Sequence, residues 1–461
     1  MASVAAVLEK NGHTVSIIDA PTEGWENLLS LDESKYRVGL SAETIAQRIT
    51  DWKPDLVAVE IPFSGWSKTA FDVVSITKKV NSDIEVVLFG LHPSSRPAQC
   101  MENSEVNFVV VGEPEVTVSE LVEALQQKKT DFTVIDGLGF RLGDKNVFTK
   151  KRATIQDLDT LPTPARHLLP MDIYAEAVKQ NPLRGEITKP YTIIITSRGC
   201  PFNCVFCTHS IVWGKQWRPR SPKNVVDEIQ HVIETYGIQQ VDFADDNMTW
   251  NRDRMAQICD LIVERGLHFE WFTPNGVRAD TLDEDLLRKM KQAGCRKIRL
   301  APESGVQRIV TEVAKKSLDL AKVEAAVAMC KKVGIKVGCF FVLGLIGETK
   351  PDIEATIQYA YKLKKLGAES FIFSIAMPLY GTAFYEQAKA GGFIREGFCD
   401  YALAATEPLV ETPEWSADDL MELCVRANAI NRTLTRHKIA KAVRNPRRTV
   451  QMVGMILRKP K

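Results

Sequence analysis

The chain contains no run of 18 apolar residues, so no stretch of it reads as a membrane-spanning helix. It does not open with a charged stretch, an apolar core and a small-residue cleavage site, so export is not expected. A net charge of only +1 over 461 residues gives no support for general nucleic-acid binding. Neither a G-x-G-x-x-G turn nor a phosphate loop occurs, so a nucleotide is not the first expectation. Seven of the ten cysteines (Cys100, Cys259, Cys295, Cys330, Cys339, Cys399 and Cys424) are scattered singly. They form no disulfide framework, and a reducing cytoplasm fits them.

The other three cysteines are concentrated in Ser197-Arg198-Gly199-Cys200-Pro201-Phe202-Asn203-Cys204-Val205-Phe206-Cys207. They follow Tyr191–Thr196, an apolar run that reads as a buried strand. The thiols therefore sit on a loop at a strand's carboxyl end, where α/β enzymes hold their chemistry. The spacing C-x3-C-x2-C offers three thiolates and no fourth. An iron–sulfur cube held this way keeps one iron open to a non-protein ligand. A zinc site is the alternative, but it would need a fourth ligand from His209 or from elsewhere in the chain.

A chain of this length, 45% apolar and 25% charged, suits two to three globular domains. From residue 191 to about 390, strand and helix alternate with clear punctuation. One helix opens at Ser221-Pro222 and stops at Gly237, and another opens with a capping box at Thr281-Leu282-Asp283-Glu284 and ends at Gly294. Two more end at Gly334 and Gly367. The apolar runs are Tyr191–Thr196, Val241–Ala244, Phe269–Phe272, Lys297–Leu300, Lys336–Leu345 and Ser370–Met377. Six strands with five intervening helices predict an α/β fold with a partial (β/α)6 barrel.

Several strand ends in this region carry polar residues. Asp245 and Asp246 are adjacent carboxylates that need a cation, donors or water to be stable there. They fit either a ligand site or a solvated loop in which Asn247 makes the turn. Glu303 and Ser304 follow the fourth strand, and Gly344-Leu345-Ile346-Gly347-Glu348 follows the fifth, where glycine lets the backbone approach a ligand. Residues 1–130 read as a separate, doubly wound Rossmann-like unit with strands Val15–Ile18, Leu56–Ile61, Ile84–Phe89 and Phe108–Val111. Its strand-end loops are Pro62–Trp66, Gly90–Ser95 and Gly112–Glu115, where such sheets bind ligands.

The cysteine motif, with an aromatic residue just before its third Cys and on the loop after a barrel's first strand, resembles the radical S-adenosylmethionine (SAM) enzymes. The resemblance implies that Cys200, Cys204 and Cys207 carry a [4Fe-4S] cluster whose open iron binds the amino and carboxylate groups of SAM. An electron from a flavodoxin or ferredoxin would then split SAM to a 5′-deoxyadenosyl radical. It also implies that Phe206 packs near the adenine, that Asp245 or Asp246 receives the SAM ammonium, and that Glu303 and Ser304 contact the ribose. Gly344 and Leu345 would flank the adenine. Arg278 and Arg299 would meet the SAM carboxylate, although each equally fits a structural partner of a nearby acid.

The preceding α/β unit resembles the cobalamin-binding domain of the B12-dependent class of these enzymes. The matching pieces are Leu8-Glu9-Lys10-Asn11-Gly12-His13, Gly90–Pro93 and Val111-Gly112-Glu113, and with the barrel the resemblance spans residues 1–390. It implies a cobalamin whose tail is lined by Ser64, Gly90, His92 and Gly112, with Glu113 accepting from a ligand hydroxyl or amide. Trp66 or Phe63 would cap the cobalt's lower face, because D-x-H-x-x-G, the motif that supplies a lower histidine ligand elsewhere, is absent. The family's leading strand is also absent, which predicts an open sheet edge.

The activity implied is methylation of an unactivated carbon or a phosphorus in a small molecule or lipid. One SAM would yield the radical, and a second would methylate cob(I)alamin, with methylcobalamin passing the methyl on. Ring formation or oxidation, as in the anaerobic tetrapyrrole cyclases, is the alternative enzyme reading. A non-catalytic sensor of cobalamin or iron–sulfur status is the alternative outside catalysis. Residues 131–190 read as a proline-broken connector running along the barrel. Residues 391–461 read as mainly helical. From Cys424 onward they carry eleven Lys or Arg and no acid, which fits a basic amphipathic helix on the barrel or peripheral contact with an anionic membrane.

Overall fold

The computed structural model describes residues 1–30, 36–179, 187, 189–404 and 407–431. Its N-terminal sheet has three parallel strands, β1 (Leu56–Glu60), β2 (Glu85–Phe89) and β3 (Phe108–Val110). An antiparallel hairpin, β4 (Leu138–Leu142) and β5 (Lys145–Phe148), extends it beyond β3. Alternation along β2 feeds both faces. Val87 and Phe89 pack with Val4, Val118 and Leu121 on one side, while Val86 and Leu88 pack with Val74, Cys100 and Met101 on the other. Helices therefore cover both faces, as in a doubly wound sheet.

Two features of this unit differ from the expectation. Val15–Ile18 is irregular rather than a strand. β1 is the edge of the sheet and pairs only with β2 among the described residues, so the expected open edge is present and Val15–Ile18 does not fill it. Val15 and Ile17 pack instead on Ala5, Ala6 and Ala165. The β4–β5 hairpin lies in the stretch read as an irregular connector. Its turn is Gly143-Asp144, with Gly143 at φ 59°, a two-residue signal of the hairpin type.

The six barrel strands form one parallel sheet in sequence order. They are β6 (Tyr191–Ile194), β7 (Gln240–Phe243), β8 (Glu270–Val277), β9 (Cys295–Glu303), β10 (Lys336–Leu343) and β11 (Ser370–Ile375). The expected helices lie between them, and their ends follow local chemistry. Ser221 accepts from the Asn224 N–H at 3.2 Å, Pro222 occupies the first turn, and Gly237 ends the helix at φ 61°. The helix expected to start with a box at Thr281 begins instead after Asp283, which caps the Leu286 N–H. Thr281 belongs to a short 3-10 turn. Outward-facing Ile194, Val241, Phe243, Trp271, Ile298 and Phe341 form the main core with the helices. The alternating inner face is open, and Ile193 and Ile195 remain 46% and 41% exposed.

An incomplete barrel has two open edges, and both are capped by side chains. At β6, Arg166 donates to the Ile193 carbonyl (2.8 Å) and Arg220 to the Ile195 carbonyl (3.0 Å). The buried carboxylate of Glu228 pairs with both arginines, lying 2.6 Å from Arg166. Arg166 belongs to the connector, which meets the barrel here, whereas its earlier part, residues 138–148, extends the N-terminal sheet. At β11, the Asn431 amide accepts from the Phe371 N–H (3.0 Å) and donates to its carbonyl (2.6 Å), mimicking a neighbouring strand. Asn431 follows the helix Ala417–Asn428. The basic run Arg432–Lys461 lies outside the described residues. No helix among the described residues is long and apolar enough to cross a membrane.

Removing Glu228 leaves two guanidinium groups with little exposure and no carboxylate. Glu228→Ala is expected to cost about 3–5 kcal/mol, read as a large fall in the unfolding midpoint. An unchanged midpoint would show that the clamp contributes nothing.

Candidate active site at the carboxyl ends of the barrel strands

The cysteine loop leaves β6 through a turn that only glycine fits. Gly199 has φ 82°, and a Cβ there would lie 2.2 Å from the Gln216 carbonyl oxygen. Val205 is buried and ties the loop down, its N–H donating to Ala314 O (3.1 Å) and its carbonyl accepting from the Phe384 N–H (2.9 Å). Cys200, Cys204 and Cys207 are unpaired and partly exposed. Burial pushes all three thiols up, Cys207 to about 12, so binding iron would release protons. Among the described residues, no three of His, Cys, Asp and Glu sit close enough to share a single metal ion. A cube instead takes its thiolates at separate irons. Phe206 is half-buried against the barrel core.

The adjacent carboxylates Asp245 and Asp246 have different partners. Asp245, 2% exposed, accepts from the Thr196 N–H (2.7 Å), Thr196 Oγ1 (2.6 Å) and Ser197 Oγ (2.5 Å). Burial pushes its carboxyl up, and these donors together with Arg254 hold it back. It binds the end of β6 to the end of β7. Asp246 pairs through one oxygen with His209 Nδ1 at 2.6 Å. Its other oxygen, and both side-chain polar atoms of buried Asn247, are out of solvent without a hydrogen-bond partner. Such orphans beside the cysteine loop are what a polar ligand would satisfy.

The remaining strand ends are braced to differing degrees. Arg278 lies over the Phe202 ring (3.7 Å), pairs with Asp280 and donates to the Lys316 and Ser317 carbonyls. Glu303 has φ 67° and meets Lys316 Nζ at 2.5 Å. Ser304 bonds Thr356 (2.8 Å). Arg299 lies over Phe340, 5.0 Å from its centroid. The Gly344 and Leu345 N–H groups donate to the fully buried Glu348 carboxyl (2.7 and 3.2 Å). Along the β6 edge a cavity of 320 Å³ is walled by Ile193, Ile195, Pro164, Leu169 and Met171.

The strand ends of the N-terminal sheet face this loop. Ser94 Oγ accepts from the Gly112 N–H (3.0 Å), joining the second and third loops. Gly90 (φ 110°) would clash through a Cβ with Ile61 O at 2.8 Å. Gly112 (φ 93°) has open space around it, its nearest neighbour being Val212 O at 4.0 Å. Ser64 and His92 are both buried and bonded to each other (3.0 Å), and His92 Nε2 lies 3.9 Å from Asp400. Burial lowers the His92 pKa. Trp66 is 55% exposed, edge-on to Phe63.

Glu113 was expected to meet a ligand, but its carboxylate accepts from Arg198 (3.1 Å), Arg218 (3.0 Å) and the Ile155 N–H (2.6 Å). Sequence reasoning did not single out Arg198, Arg218, Glu115 or Glu348 for a role. Period-two alternation at a strand end was the available signal that Asp245 and Asp246 face different ways.

Two family models match the chain, the B12 binding domain over residues 1–122 and the radical SAM superfamily over 194–360. An uncharacterized methyltransferase of Pyrococcus horikoshii is 33% identical over 391 residues, covering 84% of this chain and 78% of the relative. The cytidylyl-2-hydroxyethylphosphonate methyltransferase of Streptomyces wedmorensis is 28% identical over 92% of this chain and 84% of its own length. The radical SAM methyltransferase TsrM of Kitasatospora setae, solved with tryptophan and a SAM analogue, shares the fold. It superposes with TM-score 0.68 at 17% identity over 89% of this chain and 77% of its own. The chain belongs to the radical SAM enzymes. Within them it is of the cobalamin-dependent class, whose cofactors are a [4Fe-4S] cluster, SAM and cobalamin.

Burial raises the Glu348 carboxyl from 4.5 to about 7. A carboxyl raised on folding favours the folded state only when protonated. The folded state therefore loses stability as pH climbs from about 4.5 through 7, by roughly 3 kcal/mol. Glu348→Gln keeps an acceptor for the Gly344 and Leu345 N–H groups. Its unfolding midpoint should decline less than wild type between about pH 5 and pH 8. Equal slopes would contradict the burial argument.

Proposed function

We propose that this enzyme moves a methyl group from SAM to an unactivated carbon or a phosphorus of a small molecule. The single observation that carries the reading is that the cysteine loop of the barrel and the strand-end loops of the cobalamin unit face each other. The relatives named as methyltransferases favour methyl transfer over ring formation. When bound, the cluster and cobalamin supply radical generation and methyl carriage, which no side chain here can provide.

In this reading Cys200, Cys204 and Cys207 hold the cluster, with Phe206 packed beside the adenine. Asp246 is the stronger choice for the SAM ammonium, because it has an unpartnered oxygen. Asp245 is committed to Thr196 and Ser197 and positions the loop. Glu303 and Ser304 remain the proposed ribose segment although their side chains are held by Lys316 and Thr356, and Gly344 and Leu345, whose N–H groups are held by Glu348, would flank the adenine through the shape of their turn. Arg278 has its donors engaged and braces the loop through Phe202, and Arg299 takes the SAM carboxylate only from deeper in the barrel. For cobalamin, Gly90 and Gly112 keep backbone close to the ligand, Trp66 offers an exposed aromatic face, and Ser64 with His92 supports the floor. The exposed Ile193 and Ile195 give an apolar wall for substrate. A flavodoxin or ferredoxin is the proposed electron donor, and the basic tail remains the candidate for contact with an anionic membrane or lipid substrate.

Cys204→Ala should abolish 5′-deoxyadenosine formation by reduced, reconstituted protein while leaving cobalamin binding intact; surviving cleavage would refute the cluster assignment. Asp246→Asn should weaken SAM binding, read as a raised SAM Kd, with the protein's stability near wild type. Asp245→Asn should lower stability first. The reverse pattern would exchange the two roles. Methyl from isotopically labelled SAM found in product decides for methyl transfer over cyclisation or oxidation.

A further inference from the structure

The hairpin that leads into the cysteine loop carries two arginines in register. Arg198 and Arg218 are ladder partners in the short antiparallel pair Ser197–Arg198 and Arg218–Pro219. Like charges placed directly opposite repel, and these two are only 8% and 2% exposed. The barrel supplies no carboxylate for them among their described contacts. Both are matched from the other unit by Glu113 and Glu115, at the start of the helix Pro114–Gln126. Glu115 lies 2.6 Å from Arg198, and Glu113 bridges both arginines at 3.0–3.1 Å. Arg198 is further pinned over Trp213 (4.4 Å), and Arg218 donates to the Trp213 carbonyl (2.7 Å). Two residues beyond Arg198 comes Cys200. One residue before Glu113 comes Gly112, at the strand-end loop of the cobalamin unit.

We propose that Glu113 and Glu115 are positioning residues that hold the cluster-bearing loop at a fixed separation and orientation from the cobalamin. The inference rests on the cofactor reading above. The five-residue turn Val111–Glu115 would face cobalamin through Gly112 and grip the cluster hairpin through its two carboxylates. With the hairpin's charges balanced only by docking, the cluster loop takes its final position only when the two units are engaged. The route from one cofactor to the other then runs through residues 198–200 on one side of the ion pairs and residues 112–115 on the other.

The test uses the full-length holoenzyme loaded with cob(II)alamin and a reduced cluster, both of which are paramagnetic. Their separate signals in wild type establish that both cofactors are present, so failure of the cofactor reading would be seen independently. The magnetic coupling between them, read by EPR, reports their geometry. Glu115→Gln and Glu113→Gln should retain cobalamin and iron content yet shift and broaden the coupling, and Glu115→Asp should restore part of it. Wild-type coupling in both Gln variants overturns the proposal. Should a single variant lose its cofactors, the charge-neutral Arg198→Met/Glu115→Gln replaces it. Altered coupling there supports positioning, whereas wild-type coupling, or loss of both cofactors, assigns the pair to folding alone.

Discussion

Four charged side chains lie almost wholly out of water where the two units of this enzyme meet. Isolated, any one of them would be prohibitively costly to bury, since the desolvation of a single ion amounts to several kcal/mol. Together, Arg198, Arg218, Glu113 and Glu115 balance, and the connector joins them through the Ile155 N–H. This constraint places the strand ends of the N-terminal sheet against the loop that carries the three cysteines. A parallel sheet binds ligands at its carboxyl edge, and here two such edges are made to confront each other. The region between them is where the proposed cofactor chemistry would take place.

The barrel meets a second constraint, that of being incomplete. Six strands leave two unpaired edges, and the protein covers each with side chains rather than with more strands. Arginines 166 and 220, joined by Glu228, satisfy carbonyls of β6, and Asn431 bonds β11 as a strand would. The inner face is left open, with Ile193 and Ile195 unburied. That gap is a functional asset, because a closed eight-stranded barrel of this kind fills its interior with side chains.

Much of this was legible in the sequence because it is local. The apolar, β-branched run at 191–196, the Ser221-Pro222 start and the Gly237 stop each act over a few residues, and the cysteine spacing is itself local. The cobalamin unit was recognisable from its strand-end loops. What escaped was long-range. Glu115 and Arg198 are 83 residues apart, and Glu113 and Arg218 are 105 apart, so no spacing rule links them. Glu113 was assigned to a ligand because its position in the loop was visible and its partners were not. Val15–Ile18 has strand composition but joins no ladder among the described residues, which composition cannot report.

A cobalamin-dependent methyltransferase of this kind both cleaves SAM to a radical and removes its methyl group. Those two uses leave different remnants, 5′-deoxyadenosine and S-adenosylhomocysteine. The most direct measurement is to quantify both from anaerobically reduced, cobalamin-loaded protein given SAM. The account predicts that both form, and that S-adenosylhomocysteine disappears when cobalamin is withheld. 5′-Deoxyadenosine without S-adenosylhomocysteine, or neither product, would contradict it.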